Sequence, residues 1–177
     1  MTIRLVRPEE HEALGALTLA AYGDLLGDDL WPDYAAELAD VAGRAALVDV
    51  LVSVDDQDHL EGGITYIPGP GVMAWFDGPG EAGMRMLAVD PAAQGRGVGG
   101  RLLAACVARA QAAGKMRLLL HTTAPMTVAQ RLYERAGFRR DPGRDEVLDD
   151  GLLLLAYVLD LDPGGRVART RPGGGIG

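Results

Sequence analysis

The segment Gln94-Gly95-Arg96-Gly97-Val98-Gly99-Gly100-Arg101 contains four glycines and directly follows an apolar run that ends at Val89. Glycine lets neighbouring backbone amides point the same way without side chains between them, and the start of a helix adds roughly half a positive charge. Arg96 and Arg101 bring mobile positive charge to the same place. Such a loop binds phosphate groups, so the segment predicts a site for a ligand that carries phosphates.

The glycine pattern also matches the loops that bind dinucleotides. Residues 95–100 satisfy G-x-G-x-x-G, the pattern of dinucleotide-binding loops, which also requires an acidic residue ~20 positions further on. The next strand reads Met116-Arg117-Leu118-Leu119-Leu120-His121 and has no carboxylate. This argues against a nicotinamide or flavin dinucleotide. A loop without any ligand is also disfavoured, because so many glycines beside a helix start weaken the fold.

Other catalytic residue types give weaker signals. His11, His59 and His121 are far apart and lack the spacing of metal ligands, so we expect no metal site. The single cysteine, Cys106, lies on the apolar stripe of a predicted helix and is interpreted as a core residue. No order of serine, histidine and aspartate indicates a hydrolase.

Composition limits the function classes. The chain has 177 residues, of which 48% are hydrophobic and 24% charged, which suits one globular domain. Its net charge of −8 repels a phosphate backbone, so we expect no nucleic acid partner. The lone cysteine, the charged start and the absence of a long apolar run predict a cytoplasmic protein without membrane contact. We expect a domain over 1–161 and a flexible tail rich in glycine, proline and arginine over 162–177.

The apolar periodicity predicts the element order β-α-α-β-β-β-α-β-α-β-β. The predicted strands cover 3–6, 47–54, 60–67, 84–89, 116–122, 147–148 and 151–161, and the predicted helices cover 8–23, 33–44, 97–113 and 125–136. Helices alternate with strands only in the second half. The order therefore predicts an α/β fold with one mixed, mostly antiparallel sheet of six to seven strands and helices on both faces.

Two motifs resemble those of a known family. Gln94-x-x-Gly97-x-Gly99 resembles the Q/R-x-x-G-x-G/A signature of the GNAT superfamily of N-acetyltransferases. The element A-x-x-L-Y-E-x-x-G-F follows one strand later, from Ala129 to Phe138, and the apolar ending 154–159 resembles the family's last strand. The resemblance covers most of residues 1–161, and two motifs in the right order are more specific than either one.

The resemblance implies a GNAT-like fold and acetyl-coenzyme A as acetyl donor. Backbone groups of Leu87, Ala88 and Val89 would pair with the pantetheine arm, in a gap between strands 84–89 and 116–122. Amides from Gln94 to Gly100 would hold the pyrophosphate, and Arg96 and Arg101 would bind the cofactor as positive charges nearby.

The resemblance also implies that Tyr133 is the general acid that protonates the departing thiolate. From its position alone, Tyr133 is a packed core residue on one helical face with Ala129 and Leu132. Met126 stands where the family often has asparagine, and a thioether cannot make the polar contact of an amide with the cofactor arm.

The amine must lose a proton before it attacks. Glu81 is the one carboxylate just upstream of the strand 84–89, so it is a candidate base; water and a purely surface role for Glu81 are the alternatives. Asp29, Trp31 and Tyr34 lie in an acidic, aromatic segment that would suit a cationic amine through charge and cation–π contact. Two solvated loops would have the same composition.

The sequence thus predicts an N-acetyltransferase that moves an acetyl group to a primary amine of a small molecule or a protein N-terminus, by direct attack in a ternary complex. The alternative is a weakly catalytic acyl-CoA-binding sensor or interaction protein. The resemblance allows a homodimer.

Overall fold

A computed structural model of the chain describes residues 1–26, 32–148 and 151–161. The described residues form eight strands, namely β1 (Thr2–Leu5), β2 (Asp49–Val54), β3 (Leu60–Ile67), β4 (Glu81–Val89), β5 (Arg117–Thr122), β6 (Arg139–Arg140), β7 (Glu146–Val147) and β8 (Leu153–Asp160). They form five α-helices, namely α1 (His11–Leu26), α2 (Pro32–Ala39), α3 (Val41–Leu47), α4 (Val98–Ala112) and α5 (Thr127–Arg135).

The strands lie in the order β1-β2-β3-β4-β5-β8-β6, and β7 pairs with β8. All described pairs are antiparallel except β4 with β5. This parallel pair joins only Glu81–Gly83 to Arg117–Leu119. Both strands continue beyond it, β4 to Val89 and β5 to Thr122. A gap therefore opens in the sheet toward the carboxyl ends of these two strands.

Helices cover both faces of the sheet. In β2, alternate side chains point to opposite faces. Val50 and Val52 pack with Leu14 of α1 and Val41 of α3. Leu51 packs in the opposite layer, which α4 and α5 cover. Cys106 of α4 lies in that layer, fully buried, and burial raises the pKa of its thiol to about 12. The prediction that this cysteine is a core residue is therefore confirmed.

The predicted fold class is confirmed: one α/β domain with a mixed, mostly antiparallel sheet and helices on both faces. The sheet has eight strands where the sequence predicts six to seven. The additional strand is β6, which has only two residues and hence no periodicity to detect. β4 begins at Glu81, earlier than predicted, because its first residues pair with β5.

Two predicted helices differ from the structure by more than one or two residues at their ends. The helix predicted over 33–44 is broken at Asp40, whose carboxylate accepts a hydrogen bond from the Gly43 amide at 2.8 Å and starts α3 as an N-cap. α1 passes the predicted stop at Gly23 and reaches Leu26. A glycine inside a helix costs only about 1 kcal/mol, which the packing of Leu19 and Tyr22 of α1 offsets.

The tail predicted over 162–177 lies outside the described residues. Among the described helices, none combines the length and apolarity that crossing a lipid bilayer requires.

Candidate active site

The glycine-rich loop connects β4 to α4 at the open end of the gap. A 3₁₀ turn over Pro91–Ala93 follows β4, and α4 begins directly after Gly97. Gly95 and Gly97 have φ angles of +74° and +79°. These left-handed conformations are available to glycine at little cost and strain other residues. Gly97 is the N-cap of α4 and offers no side chain to satisfy the first amides of the helix.

Several amides of this loop are free. Within the described part of the chain, the amides of Gly95, Gly97, Val98, Gly99 and Gly100 make no hydrogen bond. The two other predicted amides are already used, because Gln94 donates to Pro91 O and Arg96 to Ala93 O, and the next amide, that of Arg101, donates to Gly97 O. The loop therefore presents unpaired N–H groups at the positive end of a helix, which is the arrangement that holds a diphosphate.

Glu61 of β3 fastens this loop at both ends, which the sequence does not reveal. Its backbone carbonyl accepts a hydrogen bond from the Asp90 amide at 2.9 Å. Its carboxylate is buried, accepts from Ser53 Oγ at 3.0 Å, and lies 3.1 Å from Arg96 Nη2. The contact with Arg96 has ion-pair distance without the alignment of a hydrogen bond. Arg101 Nη2 in turn donates to Arg96 O at 2.9 Å.

The edge of β4 that faces the gap lacks a partner strand. Parallel pairing stops at Gly83, and Met86 has a φ of +55° where the register with β3 shifts. This bulge turns the chain locally. Beyond it, Ala88 and Val89 pair with β3 alone, and among the described strands none pairs with their other side. The predicted pairing of Leu87, Ala88 and Val89 with a pantetheine arm would use this open edge.

Tyr133 lies on α5, in the core cluster, and is not among the residues that line the cavity described below. Its ring packs against Phe138 and Tyr157, with centroids 6.1 and 6.2 Å away. Its hydroxyl makes no hydrogen bond to a described residue, and burial raises the pKa of the phenol. Burial, followed by the proximity of Tyr34 and Tyr133, also raises the pKa of Tyr22. Tyr133 is thus a packed ring whose protonated hydroxyl makes no hydrogen bond to a described residue, and its role as the general acid stays a prediction.

A cavity of about 350 Å³ opens at the gap on the face covered by α1 and α2. Most of its wall is apolar; the polar or aromatic side chains that line it include Tyr22, Asp33, Tyr34, Glu37, Trp75, Arg85, His121, Thr122 and Thr123. Of the three residues predicted to bind the acceptor, Tyr34 lines this cavity, whereas Asp29 and Trp31 lie outside the described residues. Trp75 was not predicted, since the segment before β4 has no periodicity.

Met126 also lines the cavity. It is the N-cap of α5 and makes no capping hydrogen bond; Thr122 Oγ1 lies 3.4 Å from its sulfur. A buried, weakly accepting thioether thus stands where the family often has an amide.

Glu81 lies at the closed end of the gap, where β4 and β5 still pair. Its buried carboxylate accepts from Arg144 Nη2 at 2.7 Å and lies 3.5 Å from Arg117 Nη1. It is not among the residues that line the cavity. Its assignment as the base stays a prediction.

Comparisons with known proteins agree with this geometry. The model of the Acetyltransferase (GNAT) family matches residues 11–138. A GNAT acetyltransferase from Staphylococcus aureus Mu50 has a TM-score of 0.72 at 16% identity, covering 91% of this chain and 99% of that one. YncA, a putative acetyltransferase from Salmonella typhimurium solved with its cofactor acetyl-CoA, has a TM-score of 0.64 at 24% identity, with 98% of both chains covered.

A ribosomal-protein-alanine N-acetyltransferase from Brucella melitensis has a TM-score of 0.66 at 23% identity and covers 91% of this chain and 100% of its own. A search of curated protein sequences gave no match. At these identities the solved structures establish the fold, and the family match covers most of the chain. The separated β4 and β5, the free amides before α4 and the match over residues 11–138 together show that this chain belongs to the GNAT acetyltransferase family.

Proposed function

We propose that the chain is an N-acetyltransferase that moves the acetyl group of acetyl-coenzyme A to a primary amine, of a small molecule or a protein N-terminus, by direct attack in a ternary complex. The free amides of Gly95 and 97–100 carry this proposal, because they stand at the open end of the gap between β4 and β5. Unpaired donors at a helix start fit a diphosphate and need no further cation.

The chain's residues fit the cofactor along its length. Amides of the loop would hold the diphosphate, with Arg96 and Arg101 beside them. The open edge at Leu87, Ala88 and Val89 would pair with the amide groups of the pantetheine arm, as an added strand pairs with a sheet edge. When bound, acetyl-coenzyme A supplies a thioester carbonyl that an amine can attack and a thiolate as leaving group.

Tyr133 would donate its proton to the leaving sulfur. Burial raises the pKa of this phenol, so the hydroxyl carries its proton at neutral pH. It makes no hydrogen bond to a described residue, so no protein acceptor competes for that proton when the thiolate leaves.

The amine reaches the gap as an ammonium ion and must lose a proton. Glu81 and water are the predicted acceptors. We propose His121 as a third candidate, because it lines the cavity and its tautomer is fixed: Nε2 lies 2.9 Å from Arg144 O. A carbonyl only accepts, so Nε2 carries the proton in the neutral ring and Nδ1 is the basic nitrogen.

Calorimetry with the donor tests the proposal. Acetyl-coenzyme A should bind, and acetyl-pantetheine, which lacks the diphosphate, should bind at least about 100-fold more weakly because several charge-assisted hydrogen bonds are lost. A thiol-release assay with an amine panel should then show turnover. Donor binding without turnover of any amine would support the alternative of an acyl-CoA sensor. No binding heat and no thermal protection would overturn the proposal. The homodimer and the cytoplasmic location stay predictions, for sedimentation velocity and fractionation to test.

A further inference from the structure

Arg85 is the one arginine that lines the cavity among the described residues. It lies on β4, just past the point where the strand leaves β5. Its side chain is only 19% exposed. A guanidinium placed in a mostly apolar wall loses water contacts, and this cost is recovered only if its donors find acceptors.

The guanidinium is held on one side only. Arg85 Nη2 lies 2.9 Å from Glu37 Oε1, and the guanidinium carbon is 5.5 Å from the centroid of the Trp75 ring. The Trp75 ring in turn packs on His121, with centroids 5.5 Å apart. This cation–π contact holds the guanidinium beside the Trp75 ring. Its Nε and Nη1 groups make no hydrogen bond within the described part of the chain.

Glu37 does not occupy all the donors of the Arg85 guanidinium. The Glu37 side chain is 43% exposed, so its pair with Arg85 is largely screened by water. A guanidinium carries five N–H donors in a fixed fork that matches the two oxygens of a carboxylate. The free edge, formed by Nε and Nη1, can therefore bind a second carboxylate while Nη2 stays paired with Glu37.

The rest of the wall fits an apolar group. The aliphatic and aromatic side chains that line the cavity with Arg85 include Ile67, Phe76, Leu119, Leu148, Leu152 and Leu154. A protein N-terminus carries no α-carboxylate beside its amine, because that group is in the peptide bond, and a simple alkylamine would leave the free edge of Arg85 unpaired. A free amino acid supplies an amine, a carboxylate and a side chain at once.

We propose that the acceptor is a free amino acid with an apolar side chain, whose carboxylate binds the open edge of Arg85. This rests on the proposed acetyl transfer and names its substrate class. The amine's nitrogen forms the bond to the acetyl carbon, the carbon–sulfur bond of the donor breaks, and the thiolate takes a proton. The products are an N-acetylamino acid and coenzyme A.

The test compares acceptors that differ only in the carboxylate: phenylalanine with phenethylamine, and leucine with 3-methylbutylamine. For the wild type we expect kcat/KM to be higher for each amino acid than for its decarboxylated partner. Arg85→Met should lower that ratio by roughly 10- to 100-fold, the effect of a lost charge-assisted hydrogen bond. The intrinsic reactivities of the two acceptors differ, but they are the same for both enzymes. Comparing the kcat/KM ratio of the wild type with that of Arg85→Met therefore cancels this difference.

Two further variants keep the test decisive if Arg85→Met folds poorly. Glu37→Gln removes the competing carboxylate and should raise the preference for the amino acid. Arg109→Met removes an arginine that pairs with Asp49 at 3.2 Å outside the cavity, and should leave the ratio unchanged. The inference would be overturned if the wild type acetylated the amines as well as the amino acids. It would also be overturned if Arg85→Met and Glu37→Gln both left the ratio unchanged. In either case the proposed acetyl transfer would still stand. Turnover of no acceptor at all would overturn the proposed function with it.

Discussion

In Tyr133 the ring contributes to packing, whereas the hydroxyl is the candidate acid. Its ring is buried in the layer under α4, and its hydroxyl makes no hydrogen bond to a described residue. Burial raises the folded-state pKa of the phenol above its ordinary value, so ionisation of Tyr133 destabilises the fold only as the pH rises above about 10. At neutral pH the phenol is protonated in both the folded and the unfolded state, so it adds no pH dependence to stability there.

We expect Tyr133→Phe to lower kcat by about 100-fold or more, because the leaving thiolate loses its proton donor. The KM for acetyl-coenzyme A and the melting temperature should change little, since the ring remains and no hydrogen bond within the described chain is broken. Steady-state kinetics and a thermal melt check this. A variant with unchanged kcat would show that Tyr133 is only a packing residue.

The candidate bases are separated by one pair of variants. His121→Asn should lower kcat by about 100-fold, because the ammonium ion loses its proton acceptor. Glu81→Gln should keep kcat and lower the free energy of unfolding by about 1–3 kcal/mol, because its ion pairs with Arg144 and Arg117 are weakened. His59→Asn is the matched control, because His59 is exposed and is not among the residues that line the cavity. If Glu81→Gln lowered kcat and His121→Asn did not, the base predicted from the sequence would be correct.

At the scale of elements, the loop before α4 depends on a residue of another strand. Glu61 binds Asp90 through its backbone and Arg96 through its carboxylate, so β3 fixes where the loop begins and where it turns. This connection also explains why a buried carboxylate is tolerated in an otherwise apolar strand: Ser53 Oγ and Arg96 Nη2 compensate its charge.

We expect Glu61→Gln to raise the KM for acetyl-coenzyme A by about tenfold with kcat nearly unchanged, because the loop amides lose their fixed position. Arg96→Met should have a similar effect. The double variant should be no worse than the more affected single one, since both act through the same contact. Additive losses in that cycle would mean that Glu61 and Arg96 act separately.

Elements with a clear period were predictable, and the contacts between them were not. The apolar stripe of α4 and the run that ends at Val89 gave both elements and the loop between them. Glu61, Trp75 and Arg85 lie far apart in sequence from the residues that they contact, and only the sheet order brings them together. The break at Asp40 comes from one side-chain hydrogen bond, which a hydrophobic pattern does not record.

At the scale of the whole molecule, the sheet consists of two parts, β1–β4 and β5–β8, joined by three described residue pairs between β4 and β5. A ligand bound in the gap contacts both parts. It therefore adds contacts that the free protein lacks, and binding to the folded state alone raises stability.

We expect acetyl-coenzyme A to slow amide hydrogen exchange in peptides from both β4 and β5, while peptides from β1 and β2 change little. Hydrogen-exchange mass spectrometry with and without the donor measures this. Protection confined to residues 94–101 would mean that the ligand binds the loop without entering the gap.

The short seam between β4 and β5, where Glu81–Gly83 pair with Arg117–Leu119, affects the selectivity for acceptors. Because the two parts of the sheet touch over so few residues, the width of the cavity depends on the angle at which they meet. Ala82 and Leu118 are a fully buried pair within the seam, and we expect this pair to act as the pivot of that angle. Larger side chains there would widen the cavity mouth from a distance, so selection for bulkier acceptors should yield substitutions at the pivot as well as in the wall.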